Sequence, residues 1–140
     1  TGYDCLQIAY SVLDRRPEAR LLAEAAARDV GIVVRSVLLK GALTHRYRDL
    51  PDAMQPLKSA VERMSEMAEG EVESLPELAY RYVLAHPAAH TALVGTARVG
   101  EMQAAVGYAS RGALSQDLVR RIRTVQVEDP RWLNPANWPL

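Results

Sequence analysis

A single cysteine, Cys5, excludes an intrachain disulfide and any cysteine-rich metal centre, and it fits a reducing, cytoplasmic setting. Net charge is missing too. The 17 basic and 17 acidic side chains cancel at neutral pH, so no general electrostatic pull exists toward nucleic acid or an anionic membrane, and neither is expected as a partner. No apolar run, including the one around Ser36–Leu39, approaches the roughly 20 residues of a membrane span. The P-loop, the glycine-rich dinucleotide fingerprint and the nucleophile elbow are all lacking. The opening Thr1-Gly2-Tyr3-Asp4 carries neither an initiator methionine nor a charged-then-apolar signal pattern, which reads as a truncated chain cut from something longer.

What is present suffices for one domain: 140 residues, about half of them hydrophobic. Cys5–Leu13 reads as a strand, followed by the polar break Asp14-Arg15-Arg16-Pro17. An amphipathic helix over Glu18–Val30, ended by Gly31, leads to a second strand at Ile32–Val37. That is a β-α-β unit of parallel-crossover size. Thr44–Pro56 has no period and reads as a loop. Helices are expected over Leu57–Ala68 and Pro76–Ala85, the latter capped by Ser74. A third strand, Thr91–Val94, leads through Gly95 and Thr96 into a helix at Val99–Ala109 with Met102 and Val106 on a buried face. Ser115 caps a last helix with Leu118, Ile122 and Val125 inward. The tail from Glu128 holds three prolines and is expected to pack as an irregular cover through Trp132 and Trp138. Strands alternating with helices imply a parallel sheet and an α/β fold.

Four stretches in this order, "LQIAYSVLDRR" (Leu6–Arg16), "VVRSVLLKGALT" (Val33–Thr44), "LAYRYVLAHP" (Leu78–Pro87) and "ALVGTARVGEM" (Ala92–Met102), resemble the C-terminal half of the aldo-keto reductase family. The family consists of NAD(P)H-dependent oxidoreductases built on a (β/α)8 barrel, and the resemblance covers nearly the whole chain. It implies a partial TIM barrel of about three β/α units, strands six to eight, with extra helices, as a single half-barrel domain over residues 1–140. A full barrel takes about 250 residues. No stretch matches the family's catalytic Asp, Tyr, Lys and His, so the resemblance implies no catalytic residue here and no competent enzyme from this chain alone.

What the resemblance implies instead is cofactor contact, with NADP or NAD. Gln7 matches a glutamine that binds the nicotinamide carboxamide, the alternative being an amide satisfied inside a barrel. Arg35 falls where relatives carry a stacked aromatic; a guanidinium stacks as well, or pairs with a carboxylate across the barrel mouth. Ser36, Leu38, Lys40 and Gly41 match the loop around the pyrophosphate, where backbone N–H groups and a cation meet phosphate oxygens; by itself Lys40 reads as a solvated charge. Gly95 and Thr96 match the segment around the adenosine phosphate, at a helix N-terminus, with Arg98 toward a 2′-phosphate or adenine. Glu101 stands where NADPH-specific relatives carry a basic residue, and Ala105 replaces a usual Asn, which leaves NAD open.

Other polar features read as structural. His45, His86 and His90 lack metal-ligand spacing, at most one of Tyr80 and Tyr82 is expected inward, and Glu24, Glu62, Glu66 and Glu69 read as solvated. The implied function is the cofactor-binding half of a carbonyl/alcohol oxidoreductase, with a small carbonyl substrate only when an N-terminal half is present. The alternative is a non-catalytic half-barrel that binds cofactor or assembles with an N-terminal half or a second copy through unpaired strand edges.

Overall fold

Apolar side chains at alternate positions make the first two strands. β1 (Cys5–Ala9) and β2 (Gly31–Arg35) pair in parallel, with Leu6 beside Ile32 and Ile8 beside Val34. Ile8, Ile32 and Val34 are buried beneath the helices, whereas Cys5 and Gln7 lie on the opposite, exposed face. β3 (Thr91–Ala92) joins β2 through Val33–Thr91 and Val34–Ala92, so the order is β1-β2-β3 with every pair parallel. The computed structural model from which these elements are taken describes residues 2–139. The parallel α/β sheet expected from the alternation is the one that forms.

The strands are shorter than the apolar runs that announce them. After Ala9 the chain bends: the Ser11 hydroxyl accepts the Asp14 N–H at 2.9 Å, and the Asp14 carboxylate takes two bonds of 2.7 Å from Arg16. Val12 and Leu13 are buried within this turn rather than in a strand. The following helix is also split, into a 3-10 turn at Arg16–Ala19 and α1 (Leu21–Ala27). Gly31 does not end α1, because Asp29 does, at φ 55°. Its N–H reaches the Ala26 carbonyl (3.2 Å) and that of Val30 reaches Ala25 (2.9 Å), a Schellman arrangement in which an Asp tolerates the left-handed position. Gly31 instead opens β2, its N–H on the Asp4 carbonyl at 2.9 Å.

The segment expected as a loop over Thr44–Pro56 contains two 3-10 turns, His45–Asp49 and Asp52–Met54, which bury Tyr47 and Met54. α2 (Gln55–Ala68) then buries Leu57, Val61, Met64 and Ala68 at helical spacing. α3 (Leu75–Leu84) is capped by Ser74, whose hydroxyl accepts the Glu77 N–H at 3.3 Å. α4 (Val99–Ser110) and α5 (Gln116–Arg123) follow, with Ser115 capping α5 and Leu118, Ile122 and Val125 buried. The Arg15 guanidinium closes the far end of α5 by donating to the carbonyls of Ile122 (3.3 Å) and Val125 (2.7 Å).

Two carboxylates tie the helices together. Glu77 is 1% exposed and accepts from the Glu73 N–H (3.0 Å), Arg81 (2.9 Å) and Arg111 (2.8 Å). Burial alone would raise its pKa, but these bonds outweigh burial and hold it below its ordinary 4.5. Glu18 accepts from the Tyr10 and Tyr82 hydroxyls, both at 2.8 Å, and pairs with Arg123 at 2.8 Å. Burial first and this carboxylate second push Tyr82 up to about 12.

Two expectations about helix faces are corrected. Both Tyr80 and Tyr82 are buried, because α3 is covered on both sides. On α4, Met102 and Val106 are 43% and 64% exposed, and only Ala105 is buried. The apolar spacing was there without a covering surface within residues 2–139. Glu24, Glu62, Glu66 and Glu69 are exposed. Among the described residues no helix is long and apolar enough to cross a membrane, and no cluster of His, Cys, Asp and Glu is arranged to hold a metal.

Candidate functional site

The segment leaving β2 adopts a backbone that L-residues rarely take. Ser36 (φ 61°), Leu39 (φ 45°), Lys40 (φ 52°) and Gly41 (φ 92°) all have positive φ. Such conformations are disfavoured for all but glycine and gather at functional sites. They persist here because the neighbours are anchored: Leu39 is 2% exposed, and Ala42 and Leu43 are fully buried. The N–H groups of Leu39, Gly41, Ala42 and Leu43 turn back onto the carbonyls of Ser36, Leu38 and Leu39. Those four amides are therefore engaged within the loop.

A groove of about 890 Å³ opens beside this loop, between it and the segment after β3. It lies outside the carboxyl ends of the strands, where parallel α/β folds place their ligands. Of the residues singled out from sequence, Arg35, Ser36, Leu38, Lys40, Gly41, Gly95, Thr96 and Glu101 line it together. Arg98 stands just outside and is turned onto Glu101 at 3.2 Å. Gln7 is not among the lining residues; it sits on the exposed face of β1, in register with Val33.

The charges in the groove are unequal. Among the described residues, Arg35, Lys40 and Arg46 form no salt bridge, while Glu101 is the one carboxylate in the lining. Glu101 is itself engaged, accepting from the Thr96 hydroxyl and from Arg98, and the Thr96 bond is the main reason its pKa is lowered. The Arg98 N–H also donates to the Thr96 hydroxyl oxygen at 3.0 Å, so Thr96, Arg98 and Glu101 form a closed triangle at the start of α4.

Sequence reasoning missed several lining residues. Thr44 accepts the Arg46 N–H (3.1 Å) and donates to the Gly41 carbonyl (2.7 Å), which caps the His45–Asp49 turn and aims Arg46 at the groove. A Thr ahead of a short polar run was the available signal. Tyr80 and Tyr108 contribute from α3 and α4. The tail contributes Asn134, Pro135 and Ala136. It is held by the Trp138 indole N–H on the Trp132 carbonyl (2.9 Å), and Lys40 Nζ lies 5.8 Å from the centre of a Trp138 ring. This is the irregular cover expected from the sequence.

Gly41 permits the loop its shape. A Cβ there would meet only the Arg46 Cδ, at an ordinary 3.6 Å, so the cost of Gly41→Ala is conformational. The variant is expected to lose about 1–2 kcal/mol of stability in urea unfolding.

Residues 1–127 match the sequence profile of the aldo/keto reductase family. The fold superposes on an aldo-keto reductase from Bacillus halodurans, in its apo form, with a TM-score of 0.76 and 26% identity, over 90% of this chain and 44% of that one. The holo form of the same protein gives 0.74 and 26%, over 87% and 42%. A glycerol dehydrogenase from Gluconobacter oxydans gives 0.72 and 18%, over 86% and 41%, a likeness of fold alone. The chain thus spans less than half the length of these solved relatives. No curated protein sequence matches it significantly.

Proposed function

The chain belongs to the aldo/keto reductase family, and from that premise we propose that its groove binds a nicotinamide dinucleotide for reversible carbonyl reduction, as the cofactor-binding, C-terminal half of an oxidoreductase. The observation that carries this reading is the set of cations without ion-pair partners among the described residues, Arg35, Lys40 and Arg46, around a groove of about 890 Å³ at the carboxyl ends of the strands. A dinucleotide's pyrophosphate needs charge of that sign, which Lys40 and Arg46 in the groove lining supply. Arg35 lies toward the nicotinamide and Tyr108 toward the adenosine end. When bound, the cofactor supplies or accepts the hydride. The groups that would move the proton have no match in this chain and belong to the part of the barrel that the relatives contain beyond it.

The Thr96–Arg98–Glu101 triangle favours NADH over NADPH in this reading. Glu101 repels a 2′-phosphate and also holds Arg98, a neighbouring cation that could otherwise meet one. Titrating the 140-residue chain with each dinucleotide, by nicotinamide fluorescence, is expected to give NADH about tenfold tighter binding. Glu101→Gln is expected to close that gap by improving NADPH. Equal affinities in the parent chain would contradict this assignment of Glu101.

A second reading is favoured by what the fold leaves uncovered. β1 and β3 are edge strands, Leu93 is 46% exposed beside the open sheet face, and Val99, Met102 and Val106 form an exposed apolar stripe on α4. These features suit pairing with an N-terminal half-barrel or a second copy. Such pairing is compatible with cofactor binding, and becomes the sole function only if neither dinucleotide binds. A monodisperse, monomeric 140-residue chain in sedimentation would count against it.

A further inference from the structure

A second cavity, of about 210 Å³, adjoins the groove and shares with it a wall of Arg35, Ser36, Asn134 and Pro135. Its polar side is built from the turn after β1, where Ser11 and Asp14 are 1% and 4% exposed. Charge there is lopsided. The Asp14 carboxylate is engaged by two bonds of 2.7 Å from Arg16, the Ser11 oxygen already takes the Asp14 N–H, and the Asn134 side-chain Oδ1 takes the Ala136 N–H at 3.1 Å. Donors in the lining are the remaining N–H groups of Arg16, those of Arg35, the two serine hydroxyls and the Asn134 amide, beside the acceptor capacity that Asp14 and the serine oxygens keep. Among the described residues Arg35 makes a single side-chain hydrogen bond, to the Ser36 hydroxyl at 3.2 Å. Two guanidiniums against one carboxylate leave one positive charge, and a donor-rich, positively charged cavity of this size calls for a small anion.

We propose that this cavity is a subsite for the carboxylate of a small organic acid, its carbon skeleton lying toward Leu39 and Leu133. The assignment of substrate class rests on reading the larger groove as the dinucleotide site. With Arg35 between the two spaces, an acid anchored in the small one holds its adjacent carbonyl toward the nicotinamide end of the other. The substrate class is then the short oxo acids and their hydroxy acids, not neutral aldehydes. The cavity is far smaller than the groove, which excludes the dinucleotide itself.

The test uses acetate as probe and acetamide as its neutral counterpart, added to the ¹⁵N-labelled 140-residue chain while the Nε–Hε resonances of Arg16 and Arg35 are followed. Acetate is expected to shift both resonances saturably and acetamide to shift neither. Arg35→Met, at an exposed position, is expected to weaken acetate about tenfold or more, whereas Lys40→Met, outside the lining of the small cavity, retains acetate binding. An equal response to acetamide, no saturable shift, or loss through Lys40→Met with Arg35→Met intact would overturn the proposal. Acetate binding without NADH binding would sink the dinucleotide reading and leave the anion subsite standing. NADH binding without acetate binding would do the reverse.

Discussion

Glu77→Ala is expected to destabilise the fold by about 3–5 kcal/mol, the usual consequence of removing one partner from a buried ion pair. Glu77 is 1% exposed, and its loss leaves Arg81, whose side chain is 10% exposed, without its partner. Arg111 keeps a second carboxylate in Glu73 at 3.1 Å, so the damage centres on Arg81. At roughly 3 °C per kcal/mol, the melting temperature should fall by about 10 °C, which calorimetry reads directly. The same carboxylate makes an acid limit. Its pKa is lower in the folded chain than its ordinary 4.5, so its stabilisation is fully present above 4.5 and is lost as pH falls through the lower, folded value. Stability measured against pH should therefore drop below about 4.5 in the parent chain, and more shallowly in Glu77→Gln.

The second large effect concerns the groove. Lys40→Met is expected to weaken dinucleotide binding by about ten- to a hundredfold, since a hydrogen bond to a charged group contributes about 1.5–3 kcal/mol. Adding Arg46→Met should compound the loss, because both cations face the groove and neither has a salt-bridge partner among the described residues to lean on instead. Stability should change little, because both side chains are exposed and the contact of Lys40 with the Trp138 ring is worth only about 0.5–1 kcal/mol. The salt dependence of binding should weaken in parallel, as expected when charge neutralisation is the interaction removed. Affinity unchanged in the double variant would place the phosphates elsewhere.

The order of elements was legible because it depends on local chemistry. Ser74 and Ser115 announce α3 and α5 as caps, and Ile32 and Val34 announce the inner side of β2. Element lengths were not, since Val12 and Leu13 are as apolar in a buried turn as they would be in a strand. The stripe on α4 shows the limit of periodicity, which says that a face is apolar but not that anything covers it. At the candidate site, Lys40, Gly41, Thr96 and Glu101 could be named in advance because the stretches that hold them resemble the family's cofactor segments. Arg46 and the tail residues could not, because they reach the groove through the Thr44-capped turn and through the packing of Trp138, neither of which leaves a regular spacing. The engagement of the loop amides was also beyond sequence, because it turns on the positive-φ backbone at Ser36, Leu39, Lys40 and Gly41 rather than on residue types.

The central claim is that the strained loop after β2 and the segment after β3 form one dinucleotide site. The most direct measurement is a titration of the ¹⁵N-labelled 140-residue chain with NADH, following backbone amides. The account predicts saturable shifts that appear together at Ser36, Lys40, Gly41, Gly95 and Thr96, with the Glu77–Arg111 cluster behind α3 unmoved. Shifts confined to one of the two segments, or to the helices away from the groove, would contradict it, as would the absence of any saturable shift.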